Sequence, residues 1–221
     1  MKLSRLQRFL IAVAPPLGAR YIAGRRLIGS RGSFLYETGW MESIRRGRPC
    51  RADGSPMPWM NYAVAAFLDE RLSGDLDLFE WGSGFSTLYF ATRVRSVTSV
   101  EYDREWHERI SSQAPANVRI LFREKDTDGQ YCRAILADER RYDVVIVDGR
   151  DRVNCLRHGI ARLAPRGVIL LDDAQRERYA AGREYAQSQG FRALAFNGPK
   201  PLTNRLRRTI VFYRPDNCLG L

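Results

Sequence analysis

Acidic residues follow two of the apolar segments in this sequence, where they could bind a ligand or accept a proton. Asp148 follows one apolar segment, and Asp172 and Asp173 follow another. In a parallel sheet, groups at the carboxyl ends of the strands face a common crevice. We therefore expect these three carboxylates to converge at one rim of the fold and to act as the catalytic residues.

Three interpretations of this acidic rim remain open. Asp148, Asp172 and Asp173 could hold Mg²⁺, which would orient and acidify an acceptor hydroxyl group. Alternatively, one aspartate could act as a general base or positioning group without a metal. The three could also do no more than cap the following helices, a position that suits aspartate.

A second group of residues predicts a binding site for a nucleoside. Gly82 and Gly84 come directly after the apolar segment that ends at Trp81, and they allow a sharp turn before a helix. Glu101 ends the next apolar segment, where its side chain could accept hydrogen bonds from both ribose hydroxyls. A dinucleotide fold would prefer a third glycine where this sequence has Thr87. The glycines and Glu101 together favour a nucleoside without a pyrophosphate.

A regular alternation of apolar segments and helix-like segments would position these residues. Strand-like segments span residues 76–81, 97–102, 118–122, 142–148 and 168–172, with helix-like segments 58–72, 86–92, 103–113, 131–139, 152–163 and 176–188. The alternation predicts a parallel sheet with helices on both faces. Two further strand-like segments, 191–196 and 209–213, have no helix between them, so they are expected to pair antiparallel.

At these residues the sequence resembles the class I S-adenosylmethionine-dependent methyltransferases. Residues 79–84 (FEWGSG) resemble the first motif of that family, and residues 99–103 (SVEYD) resemble the second. The resemblance covers residues 58–213. It implies an α/β fold with a doubly wound, mostly parallel seven-stranded sheet, an antiparallel last strand and an N-terminal helical or irregular cover.

The resemblance also implies a set of residues that bind S-adenosylmethionine. The glycines would line the methionine part, Glu101 would bind the ribose, and residues 125–128 fall where adenine is usually contacted. The predicted cofactor-binding residues are Glu80, Gly82, Ser83, Gly84, Ser86, Thr87, Glu101, Tyr102, Asp126 and Asp148.

The acceptor atom is predicted mainly from the absence of motifs that are typical of other acceptors. The acidic rim resembles the metal-dependent catechol O-methyltransferase type, except that Asp173 replaces an asparagine and Asp151 stands where a lysine is expected. No Asn/Asp-Pro-Pro-Tyr/Phe motif or Pro-Cys pair follows the fourth strand. We therefore predict O-methylation of a small molecule, a glycan or a lipid-linked intermediate. The alternatives are a catechol-type metal enzyme, an aminopropyltransferase-like enzyme, or a basic nucleic-acid-binding protein with an auxiliary nucleoside site.

Charge and composition set expectations about partners and location. The net charge of +11 is carried almost wholly by arginine, which favours an anionic substrate. Nucleic acid is not expected as a partner, because acids are interspersed with the bases and no RNA-binding module is visible. The four cysteines form no C-x-x-C pair, which favours reduced thiols in the cytoplasm.

The sequence changes character near Pro58. Residues 1–57 are rich in glycine, proline and arginine, whereas residues 58–221 carry the alternating pattern of the methyltransferase domain. The N-terminal extension, with the aromatic residues that end in Trp59 and Tyr62, is expected to cover the substrate side. A basic amphipathic first helix could instead contact a membrane surface or a partner.

Overall fold

The computed structural model describes residues 4–137 and 139–221, in which strands and helices alternate from residue 62 onward. The strands are β1 (Asp77–Trp81), β2 (Ser96–Glu101), β3 (Val118–Phe122), β4 (Tyr142–Val147), β5 (Leu163–Leu171), β6 (Arg192–Gly198) and β7 (Arg207–Tyr213). The α-helices are α1 (Arg5–Val13), α2 (Pro15–Gly29), α3 (Phe34–Glu37), α4 (Trp40–Arg46), α5 (Tyr62–Arg71), α6 (Phe85–Ala91), α7 (Arg104–Ser111), α8 (Arg152–Ala161) and α9 (Ala180–Ser188).

The strands form one seven-stranded sheet in the order β3-β2-β1-β4-β5-β7-β6. The first five strands are parallel to their neighbours, whereas β7 pairs antiparallel with both β5 and β6. This confirms the predicted doubly wound sheet with its antiparallel last strand.

The central strands are buried on both faces, as their continuous apolar sequences predict. Along β4, Val144 and Ile146 pack into one core cluster, whereas Val145 and Val147 pack into the other. The first cluster lies against α5 and α6, and the second lies against α8 and α9. A sheet held on both faces gives its strand ends fixed positions, which a binding site at those ends requires.

Two predicted helices differ from the structure. The segment 131–139 forms a 3₁₀ turn over Cys132–Leu136, instead of an α-helix. The helix predicted from residue 58 begins at Tyr62, because the Asn61 side chain accepts a hydrogen bond from the Val64 N–H and caps the first turn. Short 3₁₀ turns and helix caps depend on local side-chain contacts, and the spacing of apolar residues does not predict them.

The N-terminal part is helical, with α1 to α4 preceding the sheet. Residues 47–49, directly after α4, and Trp59 border a cavity of about 810 Å³ at the strand ends. The division at residue 57 remains a prediction. Within the described ranges, every helix is too short or too polar to cross a membrane.

Candidate active site

A cavity of about 810 Å³ opens at the carboxyl ends of the parallel strands. It lies where β1 and β4 are neighbours, the point at which successive strands turn to opposite sides of the sheet. Ligands of open α/β sheets bind in the crevice at such a point. The loop after β1, the end of β2 and the loop after β4 form one wall, and residues from 47–49 and 200–207 form the other.

The loop after β1 depends on a glycine at its first position. Gly82 has φ +99°, a conformation that side chains rarely adopt, and a Cβ there would lie 3.2 Å from the Gly149 backbone. Gly84 has extended backbone with φ 167°, and its Cβ would meet the Trp106 ring at an ordinary 3.6 Å. Gly82 therefore sets the close approach of the β1 and β4 loops, while both glycines and Ser83 line the cavity.

Glu80 and Thr87 lie beneath this loop and do not border the cavity, so their contact with the cofactor stays a prediction. The Thr87 hydroxyl donates to Glu80 and accepts a 2.9 Å hydrogen bond from the Gly84 N–H. Glu80 is 1% exposed and also accepts from the Ser86 hydroxyl at 2.9 Å. Burial raises the pKa of Glu80 to about 7, against the effect of these hydrogen bonds. The two side chains fix the loop from below, and Ser86 alone of these three reaches the cavity.

Glu101 lies at the end of β2 with its carboxylate on the cavity wall. One carboxylate oxygen accepts hydrogen bonds from the N–H groups of Tyr102 and Asp103, at 2.8 and 2.9 Å. The other accepts from the N–H and the hydroxyl of Ser83, each at 3.1 Å. Glu101 thus ties the end of β2 to the glycine loop, at the place where the sequence predicts a ribose contact.

The wall beyond Glu101 continues along α7, and Asp126 lies outside it. Tyr102 and Trp106 border the cavity, and the Trp106 indole N–H donates to the Ser83 carbonyl at 2.8 Å. Asp126 is not part of this wall, because its carboxylate accepts from the backbone N–H groups of Gln130 and Tyr131 in its own loop. The aromatic residues after β2 therefore border the cavity where the sequence placed Asp126.

Asp148 directly follows β4 and borders the cavity, in the loop that packs against Gly82. Its side chain is 25% exposed, and one carboxylate oxygen lies 2.8 Å from the Arg152 guanidinium. Burial raises the pKa of Asp148 to about 7, and the nearby Asp172 carboxylate adds to the rise. The positive charges of Arg152 and Lys200 lower this pKa. A carboxylate with a pKa near neutrality, facing a cavity, can accept a proton at physiological pH.

Asp172 and Asp173 follow β5 but differ in their surroundings. Asp172 is fully buried and is not on the cavity wall, since it accepts from the Thr209 hydroxyl at 2.7 Å and from Lys200 Nζ at 3.2 Å. Asp173 does border the cavity. Burial would raise the pKa of Asp173, but Lys200, Arg176 and Arg152 together hold it below its ordinary value.

These contacts do not favour the Mg²⁺ interpretation of the acidic rim, which stays a prediction. Each of the three carboxylates is paired with a basic side chain, and hard cations need free carboxylate oxygens. In residues 4–137 and 139–221, the group whose ligand atoms come close enough for one ion is Asp128, Cys132 and His158, away from the cavity wall. Asp172 is buried and held by Lys200 and Thr209, and its catalytic role stays a prediction.

Comparisons with known proteins place this geometry in a family. The methyltransferase domain family matches residues 79–174, from β1 to the end of the loop after β5. A methyltransferase-like protein from Silicibacter pomeroyi is 27% identical, with a TM-score of 0.51 over 72% of this chain and 90% of that one. Residues 79–174 thus match a methyltransferase domain, and the fold around them is similar to that of class I S-adenosylmethionine-dependent methyltransferases.

More distant structures share the fold of this methyltransferase. A precorrin-8W decarboxylase from Methanobacterium thermoautotrophicum is 18% identical, with a TM-score of 0.55 over 73% of this chain and 94% of that one. A putative methyltransferase from Streptococcus mutans in complex with S-adenosylhomocysteine is 9% identical, with a TM-score of 0.53 over 72% of this chain and all of that one. A comparison with curated proteins gave no significant match.

Two buried basic residues also border the cavity: Arg152, which lies beside the acidic rim in sequence and could neutralise it, and Lys200, which the sequence analysis missed. Arg152 is 8% exposed and donates to the carbonyl groups of Gly149, Asp148 and Asp172, so it joins the ends of β4 and β5. Lys200 is 8% exposed and lies in the connection between β6 and β7. The signal that could have identified Lys200 is its rarity, since the chain has only three lysines.

Aromatic residues from the N-terminal part hold this connection against the cavity. The Trp59 indole N–H donates to the Pro201 carbonyl at 2.8 Å, and the Trp40 indole N–H donates to the Thr203 carbonyl at 3.0 Å. Lys200 Nζ lies 5.6 Å from the centre of the Trp59 ring. The second wall of the cavity is therefore built by residues that lie more than 140 positions apart in sequence.

Proposed function

We propose that this methyltransferase transfers the methyl group of S-adenosylmethionine to a hydroxyl group of a small-molecule, glycan or lipid-linked acceptor. The observation that carries the proposal is the position of Asp148, between the glycine loop and the basic wall of one cavity. A base of pKa about 7 at that place suits an acceptor that must lose a proton. A hydroxyl group must lose its proton when its oxygen receives the methyl group.

S-adenosylmethionine supplies an electrophilic methyl group on a sulfonium. In the proposed reaction the acceptor oxygen forms a bond to that methyl carbon, and the carbon–sulfur bond breaks with both electrons going to sulfur. The acceptor proton passes to the Asp148 carboxylate. Arg152, at 2.8 Å from this carboxylate, would hold it in place and stay charged throughout.

We assign the cofactor to the half of the cavity between the glycine loop and α7. The main chain of Gly82, Ser83 and Gly84 would contact the methionine part, together with the Ser86 hydroxyl. Glu101 would accept from the ribose hydroxyls, taking the place of the Ser83 hydroxyl on one carboxylate oxygen. Tyr102 would pack against the adenine. These residues fit an uncharged ribose and a zwitterionic amino acid.

The acceptor would occupy the other half, and its basic wall supports an acceptor with a negatively charged group. Arg176, Lys200 and Arg207 border this half. The Arg207 Nε–H is buried without a hydrogen-bond partner, and it lies 3.8 Å from Asp173, beyond hydrogen-bond distance. A phosphate, carboxylate or sulfate on the acceptor would satisfy that donor.

Isothermal titration with S-adenosylmethionine tests the cofactor assignment. We expect micromolar binding by the unmodified chain and roughly 10- to 100-fold weaker binding by Glu101→Gln, because charge-assisted hydrogen bonds to the ribose are lost. Glu105→Gln is the matched control, since Glu105 borders the same cavity from α7. Binding that is undetectable in the unmodified chain, or unaffected by Glu101→Gln, would contradict the assignment.

Mass spectrometry and NMR of the product test the reaction. Cell extracts incubated with the enzyme and methyl-labelled S-adenosylmethionine should give a product that has gained one methyl group, with the chemical shift of a methoxy group. A methyl group on nitrogen or carbon would refute transfer to oxygen. Gain of an aminopropyl group would show that the fold serves a different reaction.

A further inference from the structure

The first two helices expose a concentration of apolar side chains. We call α1 and α2, residues 5–29, the N-terminal helical pair. Among the described residues, twelve large apolar side chains are at least about a third exposed, and nine of them lie in residues 4–34. These nine are Leu6, Phe9, Ile11, Val13, Leu17, Tyr21, Leu27, Ile28 and Phe34. Exposed apolar surface of this density is typical of an interaction site.

The same segment carries most of the net positive charge of the chain. Residues 1–36 contain Lys2 and the arginines Arg5, Arg8, Arg20, Arg25, Arg26 and Arg31, and no acidic residue, so their formal charge is +7. The whole chain has +11, which leaves +4 for residues 37–221. Apolar and basic side chains are thus combined in one segment, whereas acids and bases nearly balance in the rest.

We infer that the N-terminal helical pair lies on an anionic membrane surface, with its apolar side chains in the headgroup region and its arginines against lipid phosphates. Stable attachment of this kind needs two signals, apolar area and positive charge, and this segment has both. A nine-residue helix such as α1 is about 13 Å long, much shorter than a bilayer is thick, so it would lie along the surface.

Two other occupants fit these observations less well. A nucleic acid would meet the arginines but would leave aliphatic side chains such as Leu6, Val13 and Ile28 in water. A second copy of this chain would cover the apolar side chains, but a symmetric contact would bring two +7 segments together. An anionic lipid surface satisfies the charge and the apolar surface at once. The inference does not depend on the proposed function.

Vesicle co-sedimentation of the full chain tests the inference. The probes are vesicles of phosphatidylcholine alone and vesicles of equal parts phosphatidylcholine and phosphatidylglycerol, at ~150 mM salt to suppress weak long-range attraction. We expect binding to the mixed vesicles and at least tenfold weaker binding to the neutral ones, roughly the effect of one or two arginine contacts.

Double variants distinguish the contribution of the N-terminal helical pair to vesicle binding from the effect of net charge. Arg5→Glu with Arg25→Glu should weaken binding by at least about thirtyfold, from two lost lipid contacts. The control, Arg119→Glu with Arg192→Glu, makes the same change in net charge on exposed strand positions. Leu6→Ser with Phe9→Ser tests the apolar contribution, and Ile44→Ser with Leu206→Ser is its control at other exposed positions.

The inference holds if both N-terminal variants lose vesicle binding and both controls keep it, with unchanged melting curves showing that all four fold. It is refuted if the unmodified chain does not bind mixed vesicles, or if the control charge pair loses binding as much as Arg5→Glu with Arg25→Glu. Sedimentation velocity gives a further test. Conversion of a dimer to a monomer by Leu6→Ser with Phe9→Ser, without vesicle binding, would assign the surface to a second copy instead.

Discussion

The side chains packed around Asp148 determine its pKa and so its ability to act as a base. A surface aspartate is ionised at neutral pH and is a weak base, whereas burial beside the Asp172 carboxylate raises the pKa of Asp148 to about 7. Arg152 limits this rise and orients the carboxylate through its 2.8 Å contact. Asp172 itself is held by Lys200 and Thr209, so these two residues also influence Asp148 through it.

We predict that methyl transfer by this enzyme increases with pH through about 7 and then levels off. The base must be unprotonated, and a raised pKa means that the carboxylate is protonated below pH 7 and free above it. Asp148→Asn should lower kcat by roughly 10²- to 10⁴-fold and remove the rising limb. Cofactor binding, measured by titration, should change little.

Glu105→Gln is the control for this prediction, because it removes a carboxylate from the same cavity at the α7 side. It should keep the rising limb of the pH profile. A pH profile of Asp148→Asn that still rises near 7 would assign the titration to another group.

The β1 loop shows how an element fixes the position of functional atoms. Gly82 brings the β1 loop against the backbone of Gly149, while the buried Glu80 and Thr87 hold Gly84 from below. The loop is thus determined from two sides before any ligand binds. Such preorganisation lowers the cost of positioning a cofactor.

We predict that Gly82→Ala lowers the free energy of unfolding by about 1–3 kcal/mol, measured by urea denaturation. Alanine would have to adopt φ +99° with its Cβ 3.2 Å from backbone atoms, or the loop would have to move. Affinity for S-adenosylmethionine should fall with it. Gly84→Ala, where the backbone is extended and the Cβ contact is ordinary, is the matched control and should cost less. Equal losses in the two variants would contradict the role of backbone conformation.

The strands and the cofactor loop could be predicted because their signals are local. Val144 to Val147 form a continuous apolar segment, and a glycine turn before a helix is visible within a few residues. The basic wall could not be predicted, because Lys200 reaches the cavity only when Trp40 and Trp59 hold its loop in place. Likewise, nothing local shows that Asp172 is buried by Thr209 from β7.

The cavity connects parts of the chain that are distant in sequence. Residues 47–49 and Trp59 precede the sheet, Gly82 and Asp148 end central strands, and residues from 200–207 come from the final connection. These parts come together only in the folded chain, so a ligand that contacts all of them cannot bind the unfolded chain in the same way. Its binding should therefore stabilise the whole fold.

We predict that S-adenosylhomocysteine raises the melting temperature by roughly 5–10 °C at about a hundred times its Kd. Binding at that concentration contributes about 2.7 kcal/mol, and each kcal/mol shifts a chain of this size by about 2–4 °C. Differential scanning fluorimetry measures the shift. Adenosine alone, which lacks the amino-acid part, should give a smaller shift, and an equal shift would argue against contacts at the glycine loop.

The place of β7 in the sheet has a consequence for how the chain is made. β7 is the last strand in sequence, yet it lies between β5 and β6. During synthesis on the ribosome, one edge of β5 keeps its backbone N–H and C=O groups unpaired until residues 207–213 have emerged. Exposed strand edges recruit other chains, so the nascent protein passes through an aggregation-prone stage that ends only when its final strand inserts.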